Sequence, residues 1–132
     1  MSESERPRVG TVGWFDLTVP HADAVRDFYQ AVVGWTSLGV DMGGYSDYMM
    51  NTPEGQGVAG ICWNRGSNAD IPPQWLIYIH VADLDASIQS CGRGGGTVLV
   101  GPKEMGPYGR YCVIRDPAGA VCALIQPPNV KT

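Results

Sequence analysis

Leu17-Thr18-Val19-Pro20, followed by Asp23-Ala24 and Gly34, returns as Ile79-His80-Val81-Ala82, Asp85-Ala86 and Gly96, each 62 positions later. Further on, Pro53-Glu54-Gly55 with Val58-Ala59-Gly60-Ile61 returns as Pro117-Ala118-Gly119 with Cys122-Ala123-Leu124-Ile125, now 64 positions later. A unit of about sixty residues is too long for a solenoid repeat and spans several elements. It predicts two copies of one half-domain, with any pocket formed where they meet. Equivalent positions in the two copies are therefore where chemistry should be sought.

Each copy reads as the same order of elements. Val12 to Val19 alternates Trp14, Asp16 and Thr18 against Phe15, Leu17 and Val19, the period of a strand. Ala22 to Val33 places Val25, Phe28, Tyr29 and Val32 at helical spacing and stops at Gly34. Thr36 to Val40, Tyr45 to Met50 and Gly57 to Trp63 are short apolar runs parted by Gly-Gly and Pro-Glu-Gly turns, so three strands follow. The polar segment 65–73, ending in Pro72-Pro73, reads as a linker. A strand at Trp75 to Val81 then opens the second copy, with a helix at Leu84 to Cys91 and strands at Thr97 to Val100, Gly109 to Arg115 and Ala120 to Gln126. The Gly-Arg-Gly-Gly-Gly run at 92–96 ends a helix instead of starting one, so it is a cap and turn and not a phosphate loop. Residues 1–9 read as a disordered lead and 128–132 as a tail. Between them, 10–127 forms a single domain of module one (10–64), linker (65–73) and module two (74–127).

Composition narrows the function. With 44% hydrophobic and 17% charged residues, 132 residues suffice for one domain with a real core. Eighteen glycines and ten prolines favour short strands and tight turns. A net charge of −4 with no basic run argues against nucleic acid. No apolar run reaches 18 residues, which argues against a membrane span, and the first residues lack the apolar core of a secretory signal. Cys62, Cys91, Cys112 and Cys122 form no Cys-x-x-Cys pair, so free thiols in a cytoplasmic protein are expected.

The ordered set Trp14-Phe15-Asp16-Leu17-Thr18-Val19, Phe28-Tyr29, Gly34-Trp35, Trp75-Leu76-Ile77-Tyr78, Val81-Ala82-Asp83-Leu84-Asp85, Gly95-Gly96-Thr97-Val98 and Asp116-Pro117-Ala118-Gly119 resembles the vicinal-oxygen-chelate superfamily of glyoxalase I, bleomycin-resistance proteins and extradiol dioxygenases. The resemblance covers about 10–127. It implies an α+β fold of two tandem βαβββ modules, curled sheets that enclose a cavity, and a homodimer. It also implies a divalent metal held by two side chains from each module. Carried onto this chain, those positions are Trp14, Ala59, Leu76 and Ala123. None is an imidazole, carboxylate or thiolate. No metal and no cofactor is expected.

If Phe15, Leu17, Val19, Ile77, Ile79 and Val81 pack under the helices, the opposite faces line the cavity with Trp14, Asp16, Thr18, Leu76, Tyr78, His80, Val121, Ala123 and Ile125. Trp35, Tyr45, Tyr48, Met49, Met50, Trp63, Tyr108 and Tyr111 cluster nearby, with Met49-Met50 as an adaptable wall, and with Ala59 they complete the expected binding set. Small residues on one wall and aromatic ones on another suit a flat conjugated guest. His80 and Asp16 are candidate bases and Tyr78 a candidate hydrogen-bond donor; a polar wall or an interior histidine is the competing reading of His80. His21 reads as a turn or cap residue. The loop 102–109 reads equally as a lid or a plain hairpin connection. The expected function is a metal-independent binding protein that sequesters a hydrophobic, aromatic small molecule, as antibiotic-sequestering members of that superfamily do. The alternative is a metal-free isomerase, lyase or hydrolase with His80 or Asp16 as base.

Overall fold

The computed structural model describes residues 7–128, so the expectations for 1–6 and 129–132 lie outside the described residues. Residues 7–9, assigned to the lead, run into a tight turn: Thr11 donates to the Arg8 carbonyl through both its N–H (3.1 Å) and its hydroxyl (2.6 Å).

The described residues divide into two compact units, one of Trp14–Leu76 and one of 77–128 joined by 7–13. The division falls inside a strand and not in the expected linker. In the first unit lie β1 (Val12–Val19, from Trp14), α1 (Ala22–Val33), β2 (Thr36–Asp41), β3 (Ser46–Asn51) and β4 (Gly57–Trp63), and a single 3₁₀ turn (Gly66–Asn68) sits in the 65–73 connection. The second carries β5 (Trp75–His80, from Ile77), α2 (Leu84–Arg93), β6 (Thr97–Glu104), a 3₁₀ turn (Gly106–Tyr108), β7 (Arg110–Arg115) and β8 (Val121–Gln126). The sheet of the first runs β2-β3-β4-β1 and that of the second β6-β7-β8-β5. In both, the first strand of the module pairs parallel with the last and the other pairs are antiparallel. The fold is α+β, and the duplication read from sequence is a duplication of topology. No helix among the described residues is long and apolar enough to cross a membrane.

One helix packs on each sheet. Leu17, Val19, Met50 and Ile61 form a core with Ala22 of α1, joined by Val25, Tyr29, Trp35, Tyr48, Trp63 and Trp75. Leu84 of α2 packs on Cys112 and Leu124, with Ile79, Val81, Ile88, Val98 and Ile114 around them. Burying such side chains supplies about 1.5–3 kcal/mol each. The glycine stop of α1 is realised: Gly34 has φ 86° and donates to the Gln30 carbonyl at 3.1 Å. Phe28 and Val32, expected on the core stripe of α1, are instead exposed with Val33 on its outer face. The helical period placed Val25 and Tyr29 correctly but could not show where the covered arc ends. His21 occupies the N-cap position of α1 without a side-chain cap bond.

A register difference separates the two copies. Asp16 of β1 pairs with Gly60 of β4, whereas Tyr78 of β5, its counterpart 62 positions on, pairs with Ala123 of β8. The structural counterpart of Ala123 is therefore Gly60 and not Ala59. The cause is a bulge: Met50 faces Ala59 but Asn51 faces Gly57, leaving Val58 as an extra residue. Ala59 is buried opposite Met50 on the helix side of the sheet.

Candidate functional site

On the face of the first sheet turned away from α1, register partners line up in rows. One row runs Asp16, Gly60, Met49, Leu38 across β1, β4, β3 and β2. In the next, Thr18 pairs with Cys62 and Asp47 pairs with Val40. Trp14 precedes Asp16 by two residues and so shares this face. Its indole N–H donates to Asp16 Oδ1 at 3.1 Å, and the Cys62 thiol lies 3.8 Å from Asp16 Oδ2. Asp47 Oδ1 accepts from the Trp63 backbone N–H at 3.0 Å, and its carboxylate also meets the Cys62 thiol. Burial raises the pKa of Asp47, partly offset by the Trp63 and Cys62 hydrogen bonds and by Arg65. Burial, then the charges of Asp16 and Asp47, pushes the Cys62 thiol far upward, so it stays protonated and acts as a donor between two carboxylates.

Gly60 makes this arrangement possible. A Cβ on it would overlap Asp16 Oδ1 and lie 3.5 Å from Trp14 Nε1. Its backbone is ordinary strand, so the requirement is close approach and not a special φ. A matching notch serves the imidazole of His80. A Cβ on Gly13 would overlap its Cε1 and stand 2.8 Å from Nε2. His80 also pairs through its backbone with Gly10 and Thr11 (2.8 and 2.9 Å), and its Nδ1 is buried without a hydrogen-bond partner. Desolvation lowers its pKa, which favours the neutral ring.

The remaining expected site residues separate into three groups. Trp35, Tyr48, Met50 and Trp63 belong to the core under α1, so they are not on the sheet's open face. Arg26 of α1 covers the Tyr48 ring at 4.5 Å and Arg65 covers that of Tyr45 at 3.8 Å. Leu76, Tyr78, Tyr111 and Ala123 are buried; Tyr78 and Tyr111 are 4% and 8% exposed, with rings 6.2 Å apart and tilted by 35°. Thr18 is buried too. Tyr108 projects outward from the 3₁₀ turn. The 102–109 segment continues β6 to Glu104 and closes through Met105 N–H to Gly109 O at 2.7 Å, a connection and not a cover. Met49 was expected near the pocket and lies on this face; Asp47, Leu38 and Val40 were missed by sequence reading. The alternation of Asp47 and Met49 against Tyr48 and Met50 was the signal available.

The metal implied by the resemblance finds no donors at its positions. Trp14 is engaged as a donor to Asp16, Leu76 is fully buried, and Gly60 and Ala123 offer no ligand atom. Among the described residues no group of three His, Cys, Asp or Glu side chains is placed to hold a metal ion. These residues do not fit the metal.

Two repeated βαβββ units with paired first and last strands define the class of this fold. The chain matches the Glyoxalase/Bleomycin resistance protein/Dioxygenase superfamily over residues 11–124 and belongs to it. It is 36% identical over 131 residues to CFP32 of Mycobacterium tuberculosis, a protein provisionally named a glyoxylase, covering 96% of this chain and 49% of that protein. It is 32% identical over 127 residues to the anthracycline biosynthesis protein DnrV of Streptomyces peucetius, covering 87% of this chain and 46% of that one. The chain thus spans about half the length of these curated relatives. The fold is also similar to that of methylmalonyl-CoA epimerase from Streptomyces coelicolor, with TM-score 0.57 and 18% identity over 92% of this chain and all of that one.

Proposed function

We propose that this protein binds a hydrophobic, aromatic small molecule without a metal, on the open face of the first unit's sheet, and holds it in the manner of a sequestering protein. The observation that carries this reading is the exposure of Leu38 (60%), Val40 (40%) and Met42 (48%) at β2 beside half-buried Met49 and Trp14. Contiguous exposed apolar side chains on a sheet face mark a surface that is covered in use. The face of the second unit supports it less, because Tyr78, Tyr111 and Ala123 fill that face themselves. The relative named for anthracycline biosynthesis directs the search toward antibiotic-like ligands. Tryptophan fluorescence during titration with aromatic ligands tests the reading: saturable quenching that disappears in Trp14→Phe is expected. Recovery of a chemically altered ligand would replace sequestration with turnover.

The two glycine notches favour a second reading, a metal-free isomerase, lyase or hydrolase with His80 or Asp16 as base. Both are side chains held in place before any ligand arrives. A His80→Ala variant that keeps ligand affinity and loses turnover supports it. A homodimer belongs to the same proposal, with exposed Phe28, Val32 and Val33 of α1 as the surface to be covered. A monomer mass in sedimentation at micromolar concentration removes it.

A further inference from the structure

The open sheet face of the first unit is not uniformly apolar. Its β2 edge presents Leu38 and Val40, while their rows lead inward to Asp16 and Asp47. From β1 to β2 is three strand spacings, roughly 14 Å, the length of two or three fused rings with a short substituent. Asp16 is not a loose surface carboxylate. Trp14 grips Oδ1, Cys62 approaches Oδ2, and Gly60 gives up its side chain to make room. Asp47 is fixed by the Trp63 N–H. Burial first, and then the neighbouring Asp16 and Asp47 carboxylates, keep the Cys62 thiol protonated between them. Arg65 acts on Asp47, but its guanidinium is stacked on Tyr45 at 3.8 Å.

We propose that the occupant of this face is an apolar fused-ring molecule bearing a protonated amine, its rings on Leu38, Val40 and Met49 and its ammonium directed to Asp16. This rests on the binding reading above and specifies the ligand class for the same face. Charge complementarity selects the amine, because an acid would meet like charge at the Asp16 end of the face.

Equilibrium dialysis of the full chain against three isosteric probes tests it: 2-naphthylmethylamine, 2-naphthylmethanol and 2-naphthylacetate. The amine should bind about tenfold tighter than the alcohol, and the acetate most weakly. Asp16→Asn should bring the amine-to-alcohol ratio near one. Should that variant misfold, raising sodium chloride from low to high concentration should shrink the ratio in the native chain instead. Leu38→Ser with Val40→Ser should weaken all three probes. Equal affinity for amine and alcohol in the native chain overturns the amine assignment and leaves hydrophobic binding standing. Binding insensitive to the Leu38 and Val40 changes, or no saturable binding of any probe, overturns the face itself. So does a dimer that dissociates on those changes, since a second copy would then be the occupant.

Discussion

Gly60→Ala is the most exacting perturbation of this structure, because strand propensity and geometry give opposite signs. The backbone at Gly60 is ordinary strand, so alanine alone should stabilise by about 0.4–1 kcal/mol through the unfolded chain. The added Cβ, however, overlaps Asp16 Oδ1 and lies 3.3 Å from its carboxyl carbon. Asp16 must turn away, giving up the 3.1 Å bond from Trp14 and the Cys62 contact. A hydrogen bond to a charged group contributes about 1.5–3 kcal/mol, with the low end fitting a half-buried pair. The net cost should be about 0.5–1.5 kcal/mol, or a Tm lower by a few degrees for a domain of this size. In an Asp16→Ala background the overlap vanishes, and the same change should raise stability by about 0.4–1 kcal/mol. Urea melts of the four proteins close a double-mutant cycle with a coupling of about 1.5–2 kcal/mol. A coupling indistinguishable from zero would refute the seating of Asp16 over Gly60.

Three further outcomes follow from named groups. His80 has a pKa depressed by desolvation, so the unfolded chain takes up its proton first. Stability should fall as pH drops through about 6.5 toward the folded value, and His80→Gln should flatten that part of a urea-midpoint profile; an unchanged slope removes the assignment. Asp47 has the opposite displacement for a carboxyl, raised chiefly by burial. Its contribution is present at low pH and lost as pH rises from about 4 through the folded value. Asp47→Asn, which keeps an acceptor for Trp63, should therefore gain stability at pH 7 relative to pH 4 when compared with the native chain. Finally, Leu84→Ala should cost about 2–5 kcal/mol by opening a cavity under α2, whereas exposed Leu38→Ala should stay within about 0.5 kcal/mol. A large loss at Leu38 in a melt would make that row structural and not a binding surface.

The duplication, the strand alternation of Val12 to Val19 and the glycine stop at Gly34 were legible because each is a local pattern with one physical reading. Of the residues expected to pack under the helices, Leu17, Val19, Ile79 and Val81 do so, whereas Phe15 and Ile77, nearer the strand starts and beyond the helix cover, are exposed. What sequence could not carry was the address of aromatic side chains. Trp35, Tyr48 and Trp63 are as suitable for a core as for a pocket, and only the packing of α1 decides between them. Nor could it separate Tyr78 on an open face from Tyr78 buried beside Tyr111. The error at Ala59 is of another kind. Copying the turn offset of 64 forward missed one unpaired residue, and in a strand one residue exchanges the two faces.

That unpaired Val58 also bears on the history open to the gene. Duplicated halves with matching frames can trade segments by recombination and still present the same side chains to the same faces. Here the two copies differ by one residue inside the last strand, at Val58, and the bulge there brings Gly60 opposite Asp16 as Ala123 stands opposite Tyr78. The bulge thus absorbs the extra residue, and beyond it one unit carries a carboxylate-bearing face and the other a tyrosine-filled one.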